Sequence, residues 1–395
     1  MEKIRAVNLT KIFGPHPARA LRLLEQGTNK DEIFNQTGQA VGLANVSFDV
    51  QEGEIVVVMG LSGSGKSTLI RCINRLIEPS EGQVFINGVD ITTLDYQALL
   101  ELRRHKFGMV FQHFALFPHR NILHNVEYGL EIQDIDKELR KEKARSALKL
   151  VGLEGWEEAM PSQLSGGMQQ RVGLARALAV EPDILLMDEA FSALDPLIRG
   201  DMQHELVSLQ NRMRKTILFI THDLDEALKI GNRVVLMKDG QVVQIGTPEE
   251  ILTAPANDYV KRFVENVDKS KVLTAQSVLT PVPAVAYPDD APRTVLDNLR
   301  NDNLSYLFVV KRDQTLEGIV RIETVSAAME RGDKTIAGLI DFEVPKVSPT
   351  EPLNVLIGIL AKGAWSVPVV DKELKLQGEV VNNRVLAALA KRENT

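Results

Sequence analysis

The run Gly60-Leu61-Ser62-Gly63-Ser64-Gly65-Lys66-Ser67-Thr68 leaves this chain few folds to choose from. It follows a β-branched apolar stretch, Ile55 to Met59, and precedes Leu69 to Arg75, whose spacing is helical. Strand, glycine-rich turn and helix in that order satisfy the P-loop pattern. Glycines let the backbone curl until successive amide hydrogens face one anion, and the helix N-terminus adds positive potential. Lys66 is placed to neutralise the β- and γ-phosphates of a nucleoside triphosphate, with the Ser67 hydroxyl on Mg²⁺. An α/β fold holding ATP on residues 60–68 is the expectation.

The rest of the first part keeps the same rhythm. Ile184 to Met187 and Ile217 to Ile220 are further short apolar runs, as expected of strands covered on both faces of a largely parallel sheet. Of the 395 residues, 44% are hydrophobic and 25% charged, which excludes a disordered or fibrous chain. A net charge of −7 leaves no broad basic face for a phosphate backbone, so no nucleic-acid partner is expected. The single cysteine, Cys72, rules out an internal disulfide and a cysteine-rich metal site, in keeping with a reducing cytosol. Met1-Glu2-Lys3-Ile4-Arg5 lacks the apolar core of a leader, and no run approaches the roughly 18 apolar residues of a membrane span. Any service to a membrane is therefore expected to run through a partner.

The strand from Ile184 ends in two carboxylates, which suits delivery of Asp188 to the magnesium shell and of Glu189 toward an attacking water. An isolated Asp-Glu pair is more often a helix cap, but downstream of a P-loop the catalytic reading is favoured. His222 follows the strand Ile217 to Ile220, where the carboxyl end of a sheet meets a nucleotide crevice. Leu164-Ser165-Gly166-Gly167-Met168-Gln169 precedes a helical stretch from Arg171 to Val180. A Ser-Gly-Gly turn opening a helix is a second amide-rich anion site. Two such starts in one chain suggest that the second completes another subunit's site.

Periodicity weakens after about Phe263, and the polar stretch Glu265 to Lys271 reads as a connector. The expected division is a first domain over 1–262, a linker over 263–271 and a second domain over 272–395. Within the tail the chain repeats itself at an offset of 60, Ser305 to Val310 standing against Trp365 to Val370 and Gly318 against Gly378. Identities continue at Leu316/Leu376, Val320/Val380, Val325/Val385, Ala327/Ala387 and Ala328/Ala388. Each copy reads as strand, turn, strand and helix, so the tail is expected to be one small domain of two related halves.

On these residues the chain resembles the nucleotide-binding subunit of ABC transporters over about residues 1–262, with Leu164 to Gln169 as the signature motif. The resemblance implies that Phe13 stacks on adenine, where tyrosine is commoner but the π face is retained. It makes Gln112 the Q-loop glutamine, near both nucleotide and Mg²⁺, and Ser192-Ala193-Leu194-Asp195 the D-loop. His222 becomes the switch histidine and Glu189 the general base, working beside Lys66. The run Asp188 to Arg199, the segment Phe111 to His119 and a long insertion, Gly14 to Gly42, narrow the resemblance to the ATPase subunits of glycine betaine and proline betaine importers. The insertion reads as two short helices, around Ala18 to Gln26 and Lys30 to Gln36, and no chemical role follows for it.

The tail is similar to a tandem pair of CBS domains, regulatory modules that often bind adenine nucleotides. In this importer family it resembles the part that senses ionic strength or binds cyclic di-AMP. Gly318 and Gly378 mark its two copies, and Thr324 and Arg384 stand where many adenosine-binding copies carry an acid for the ribose; Arg384 suits a phosphate. The whole implies a peripheral ATPase on the cytoplasmic face of the inner or plasma membrane, a head-to-tail homodimer. Its implied partners are an integral membrane permease subunit and an extracytoplasmic substrate-binding protein. Coupling is expected between Gln112 and about Tyr128, where exposed Phe114 and Phe117 would seat a permease helix, a core role for Phe117 being the alternative. One rival keeps the motor and changes the cargo to an amino acid or another small cation. Another, an ABC protein acting on ribosomes or DNA, is disfavoured by the acidic charge and the lack of a long coiled-coil insertion. A third makes the chain mainly a nucleotide-sensing module.

Overall fold

Continuous apolar runs become central strands. Ile55–Met59, Ile184–Asp188 and Thr216–Thr221 are enclosed between layers, every position of the three being buried. The computed structural model describes residues 1–112 and 114–390 and divides into two units, Met1–Val267 and Asp268–Thr395. The division falls inside the stretch read as a connector, which is not featureless: the helix Asp258–Phe263 enters it and Lys269–Lys271 form a 3-10 turn.

The first unit has strands β1 (Glu2–Phe13), β2 (Ala40–Gln51), β3 (Ile55–Met59), β4 (Glu81–Ile86), β5 (Val89–Asp90), β6 (Phe107–Phe111), β7 (Ile184–Asp188), β8 (Thr216–Thr221), β9 (Arg233–Lys238) and β10 (Gln241–Gly246). Six of them form a sheet in the order β10-β9-β3-β8-β7-β6, parallel throughout except for the edge strand β10. The other four form a separate antiparallel sheet, β2-β1-β4-β5, which the reading of one largely parallel sheet omitted. Its sequence signal is alternation in β2, where Val46, Phe48 and Val50 are buried and Ser47 is exposed. One core joins Ile4, Val46 and Phe48 of this sheet, Val56, Leu186 and Leu218 of the other, and Leu69 and Ile73 of the helix Lys66–Ile73.

Parallel pairing has a direct consequence for chemistry. β3, β6, β7 and β8 end on the same edge, with Met59 opposite Thr221, Asp188 opposite Ile220 and Phe111 opposite Asp188. The residues that follow them, Gly60, Gln112, Glu189 and His222, are thereby collected at one crevice.

Three helices, Ile122–Ile132, Lys137–Leu150 and Gly166–Ala179, pack on one another. The last begins at Gly166 and not at Arg171, because the Ser165 hydroxyl accepts from the Met168 N–H and caps it. The insertion forms helices Pro17–Glu25 and Lys30–Thr37, in agreement with its sequence signal. Ala20 and Ile33 anchor them on Ile12, Asn29 caps the second, and Gly38 at φ +71° ends it. Among the described residues no helix is long and apolar enough to cross a membrane.

The second unit contains β11 (Val285–Ala286), β12 (Tyr306–Val310), β13 (Leu316–Arg321), β14 (Ser366–Val370) and β15 (Leu376–Val381). β12 with β13, and β14 with β15, are antiparallel hairpins whose registers shift at the equivalent places, after Val309 and after Val369. Each is followed by a helix, Ile322–Arg331 and Asn382–Leu389. The copies meet about a local two-fold: the Leu316 N–H donates to the Leu374 carbonyl at 2.9 Å and the Leu376 N–H to the Gln314 carbonyl at 3.0 Å. Thr315 and its counterpart Lys375 bridge on that axis. The 60-residue offset seen in the sequence is therefore a symmetry of the fold.

Candidate nucleotide site

The loop after β3 is shaped by backbone that tolerates no side chain. Gly60, Gly63 and Gly65 have positive φ, and a Cβ on Gly60 would lie 2.2 Å from the Met237 carbonyl oxygen. Lys66 is 5% exposed, and its ammonium donates to the carbonyls of Gly60 at 2.8 Å and Leu61 at 3.1 Å. Burial lowers its pKa, an effect opposed by the charges of Glu189 and Asp188. The buried Ser64 hydroxyl has no partner. Leu61, Ser62 and Gly63 face solvent, and Ser67 and Thr68 are half-buried at the helix start. A concave loop with an ammonium satisfied only by carbonyls and an orphaned hydroxyl suits a multiply charged anion.

The Ser67 hydroxyl donates to Oδ1 of Asp188 at 3.1 Å, and Arg71 lies 3.8 Å from Oδ2. Burial raises the Asp188 pKa, with the Ser67 hydrogen bond working against that rise. Hydroxyl and carboxylate are the hard oxygen donors that Mg²⁺ prefers. Among the described residues no group of three or more His, Cys, Asp or Glu gathers as a metal cluster.

Glu189 is the hub of the crevice. Its Oε2 lies 3.1 Å from Nδ1 of His222 and 3.5 Å from Nε2 of Gln112. Its backbone is left-handed at φ +46°, a conformation that costs roughly 1–3 kcal/mol when a side chain is present. Three hydrogen bonds hold it there, from the Glu189 N–H to the Ile220 carbonyl at 3.0 Å and from the Ser192 hydroxyl and N–H to the Glu189 carbonyl at 2.9 and 3.2 Å. Local sequence carries no sign of this strain; it is imposed where β7 ends beside β8.

The other expected residues are distributed around this crevice. Phe13 is 40% exposed at the end of β1, with its ring packed so closely on Gly42 that a Cβ there would sit 2.7 Å from it. Asp195 caps the helix Pro196–Met213, Leu194 is buried and Ala193 is exposed. In the signature turn Leu164 and Gly167 are buried, whereas Ser165 and Gly166 face solvent. Gly167 has no space for a side chain, since a Cβ would lie 2.5 Å from Ile198, and Gln169 binds the carbonyls of Pro161 and Leu164 at 3.0 and 3.2 Å. Among the described residues no hydrogen bond or ion pair links Leu164 to Gln169 with Lys66, Asp188, Glu189 or His222.

The chain matches the ABC transporter family over residues 43–192 and the CBS domain over residues 275–331. It is 51% identical over 394 residues to the glycine betaine/carnitine transport ATP-binding protein GbuA of Listeria monocytogenes, covering 100% of this chain and 99% of that protein. It belongs to the ABC transporter family. Similar to this ABC chain at 48% identity over 390 residues is the glycine betaine/proline betaine transport system ATP-binding protein ProV of Salmonella typhimurium, with 98% of this chain and 97% of that one covered. A solved dimeric ATP-binding cassette in a post-hydrolysis state with ADP and Pi is 35% identical at a TM-score of 0.53, over 62% of this chain and 98% of its own.

The ABC chain departs from the sequence reading in the segment after Gln112. Phe114 and Phe117 are half-buried, not exposed. Phe117 packs edge-on against Tyr128 with centroids 4.6 Å apart, under the Arg120 guanidinium. Phe114 and Ala115 are both left-handed, at φ +49° and +50°. Arg176 of the signature helix holds them by donating to the Phe114 carbonyl at 3.0 Å and the Ala115 carbonyl at 2.5 Å. Sequence reasoning missed Arg176; a cation inside the otherwise apolar run Val172 to Leu178 was the available signal.

In the tail, Gly318 and Gly378 are crossing points of the backbone. A Cβ on Gly318 would lie 2.2 Å from the Asp341 carbonyl, and one on Gly378 would lie 2.7 Å from the Thr280 carbonyl. Thr324 is exposed and donates to the Arg321 carbonyl at 2.9 Å, and Arg384 is exposed at the start of its helix.

Proposed function

We propose that this chain is the ATP-hydrolysing subunit of an importer of a small quaternary-ammonium osmolyte such as glycine betaine or proline betaine. The observation that carries the hydrolytic part is the convergence of His222 and Gln112 on one oxygen of Glu189, beside the Lys66 loop. The cargo reading is supported by the full-length similarity to GbuA and ProV, whose names state glycine betaine transport.

When bound, Mg²⁺–ATP supplies a labile phosphoanhydride bond and a cation that withdraws charge from its oxygens. Phe13 offers its exposed face to adenine, and the amides of residues 60–68 receive the phosphates. Lys66 would leave the carbonyls of Gly60 and Leu61 for phosphate oxygens, and Ser67, Asp188 and Gln112 would hold Mg²⁺. Glu189 orients the attacking water and accepts its proton, with its carboxylate aimed by His222 and its backbone pinned by Ile220. Ser165, Gly166 and Gly167 of a second copy close over the γ-phosphate, since in their own chain they face solvent or lack intrahelical acceptors. ATP thus joins two copies and hydrolysis releases them.

The same reading places the chain on the cytoplasmic face of the membrane, bound to a permease subunit through the segment from Gln112 to Tyr128 and served by an extracytoplasmic binding protein. The tail regulates transport, with cyclic di-AMP or salt as the signal and Arg384 as a phosphate partner for the former. Vesicles carrying the assembled importer test this: radiolabelled glycine betaine should enter only with ATP, and Glu189→Gln should stop both uptake and hydrolysis. Uptake of an amino acid but not of betaine would overturn the cargo. Truncation after about residue 270 should keep hydrolysis and lose both responses; their persistence would remove the tail from regulation.

A further inference from the structure

The two halves of the tail share a backbone but not a surface. A cavity of about 440 Å³ opens between the two halves, walled by β12, β13 and the start of the helix Ile322–Arg331 from the first, by Asp341 to Pro345, and by Lys362 to Ser366 from the second. Its walls include Tyr306, Phe308 and Trp365. At the offset of 60, the counterparts of Tyr306, Phe308, Arg321 and Glu323 are Ser366, Pro368, Val381 and Asn383. Trp365 and Lys362 come from the second copy, where their counterparts are Ser305 and Asp302, so the cleft draws different side chains from each copy and the shared scaffold does not require them.

The ring of Tyr306 is fixed. Its hydroxyl donates to Glu379 at 2.8 Å and contacts Ser366, and its ring meets Phe308 edge-on at 5.5 Å. Burial pushes the hydroxyl pKa up, so it remains a donor at neutral pH. Trp365 contributes a large indole that is 71% exposed, an apolar surface left in water beside a concavity. The charges around it are not those of a phosphate site. Arg321 is spent on Asp341 at 3.1 Å, whereas Glu323, Glu343 and Lys362 enter no ion pair among the described residues. Free carboxylates outnumber free cations, which repels nucleotide phosphates. Aromatic faces with nearby carboxylates attract an alkylated ammonium, and a lone lysine serves an attached carboxylate.

We infer that this cleft binds a small quaternary-ammonium zwitterion, so that the tail reads the transported osmolyte itself as a feedback signal. The inference rests on the cargo reading above. Trp365 and Tyr306 face the methylated ammonium, Glu323 and Glu343 set its charge preference, and Lys362 takes the carboxylate. The contact area is small and partly hydrated, so the dissociation constant is expected on the order of 1–10 mM, which suits an osmolyte that accumulates.

Trp365 supplies its own reporter, because the chain has two tryptophans and Trp156→Phe leaves it alone. Glycine betaine titrated into that full-length variant at constant ionic strength should change the emission saturably in the millimolar range. Sucrose and glycine at equal osmolality should not. Adding Glu343→Gln should weaken betaine binding several-fold, and calorimetry on Trp365→Leu should show it lost while thermal unfolding stays unchanged. In vesicles loaded internally with betaine, Glu343→Gln should relieve inhibition of uptake while the uninhibited rate stays that of the parent. A linear response, an equal response to sucrose, or binding of AMP or cyclic di-AMP in the cleft that displaces betaine or that Glu343→Gln strengthens would overturn the inference. Uptake without cleft binding refutes this inference alone, and absence of betaine uptake refutes the cargo reading beneath it.

Discussion

The two glycine-rich helix starts of the first unit look alike in sequence and differ in how the fold treats them. Around Lys66 the loop has an exposed rim, Leu61 to Gly63, over a fixed base: Ser64 and Lys66 are buried, the ammonium is tied to two carbonyls, and Gly60 admits no Cβ. Around Ser165 the turn is open, with Ser165 and Gly166 in solvent and the hydroxyl used as a cap for Met168. A loop with a buried base has its geometry set in advance and is suited to bind by itself. An open turn keeps its amides hydrated until an anion arrives, so it serves best as a surface for closing another site. On the proposed mechanism the contrast suits the first start to binding and the second to closure.

The strongest test of that contrast strikes the residue between them. Glu189→Gln should lower hydrolysis by about 10²–10⁴-fold and leave an ATP-stabilised dimer visible by light scattering; normal turnover would deny Glu189 its role. Ser165→Arg addresses closure alone. It should lower hydrolysis by about 10²–10³-fold while an equilibrium titration finds nucleotide affinity unchanged, whereas Lys66→Ala should weaken affinity itself. If both substitutions weakened binding alike, the division between binding and closure would disappear.

Arg176 ties the signature helix to the segment after Gln112 through the carbonyls of Phe114 and Ala115. Arg176→Lys, which cannot span both, should reduce permease-stimulated hydrolysis roughly tenfold and leave the basal rate of the isolated subunit nearly intact. An equal loss in both rates would make the contact merely structural. Phe13→Leu should raise the KM for ATP by about 2–10-fold with little change in kcat, the value of one stacked ring; an unaltered KM would remove Phe13 from the base site.

The smallest effect concerns stability. Burial raises the Asp188 pKa above its ordinary 3.8, so the folded protein holds that proton more tightly than the unfolded chain. Its contribution to stability therefore falls as pH rises from that value through the raised one. Without nucleotide or Mg²⁺, Asp188→Asn should unfold a few degrees higher than the parent at pH 7, with the gap closing toward pH 4. A gap that widens on acidification would reverse the sign and contradict the burial account.

Much of this protein was readable before folding because its strongest signals are local. Gly60 to Thr68 needs only a strand before it and a helix after it, and the sixty-residue repeat needs only counting. The antiparallel sheet was missed because alternation in β2 is brief and a long insertion separates it from β1. The half-buried state of Phe114 and Phe117 was equally hidden, since Arg176, which binds the Phe114 carbonyl, and Tyr128, which packs on Phe117, lie on helices elsewhere in the chain.

The chain alone determined the chemistry available: which backbone can curl around an anion, which carboxylates follow which strand, and which tail segments are copies. Only tertiary structure decided that Gln112 and His222 converge on Oε2 of Glu189, that Glu189 is left-handed, and that the two tail halves enclose an aromatic cleft. Residues far apart in sequence are brought within hydrogen-bond distance by the register of parallel strands. That register minimises exposed apolar surface over a whole sheet, and no short segment contains it.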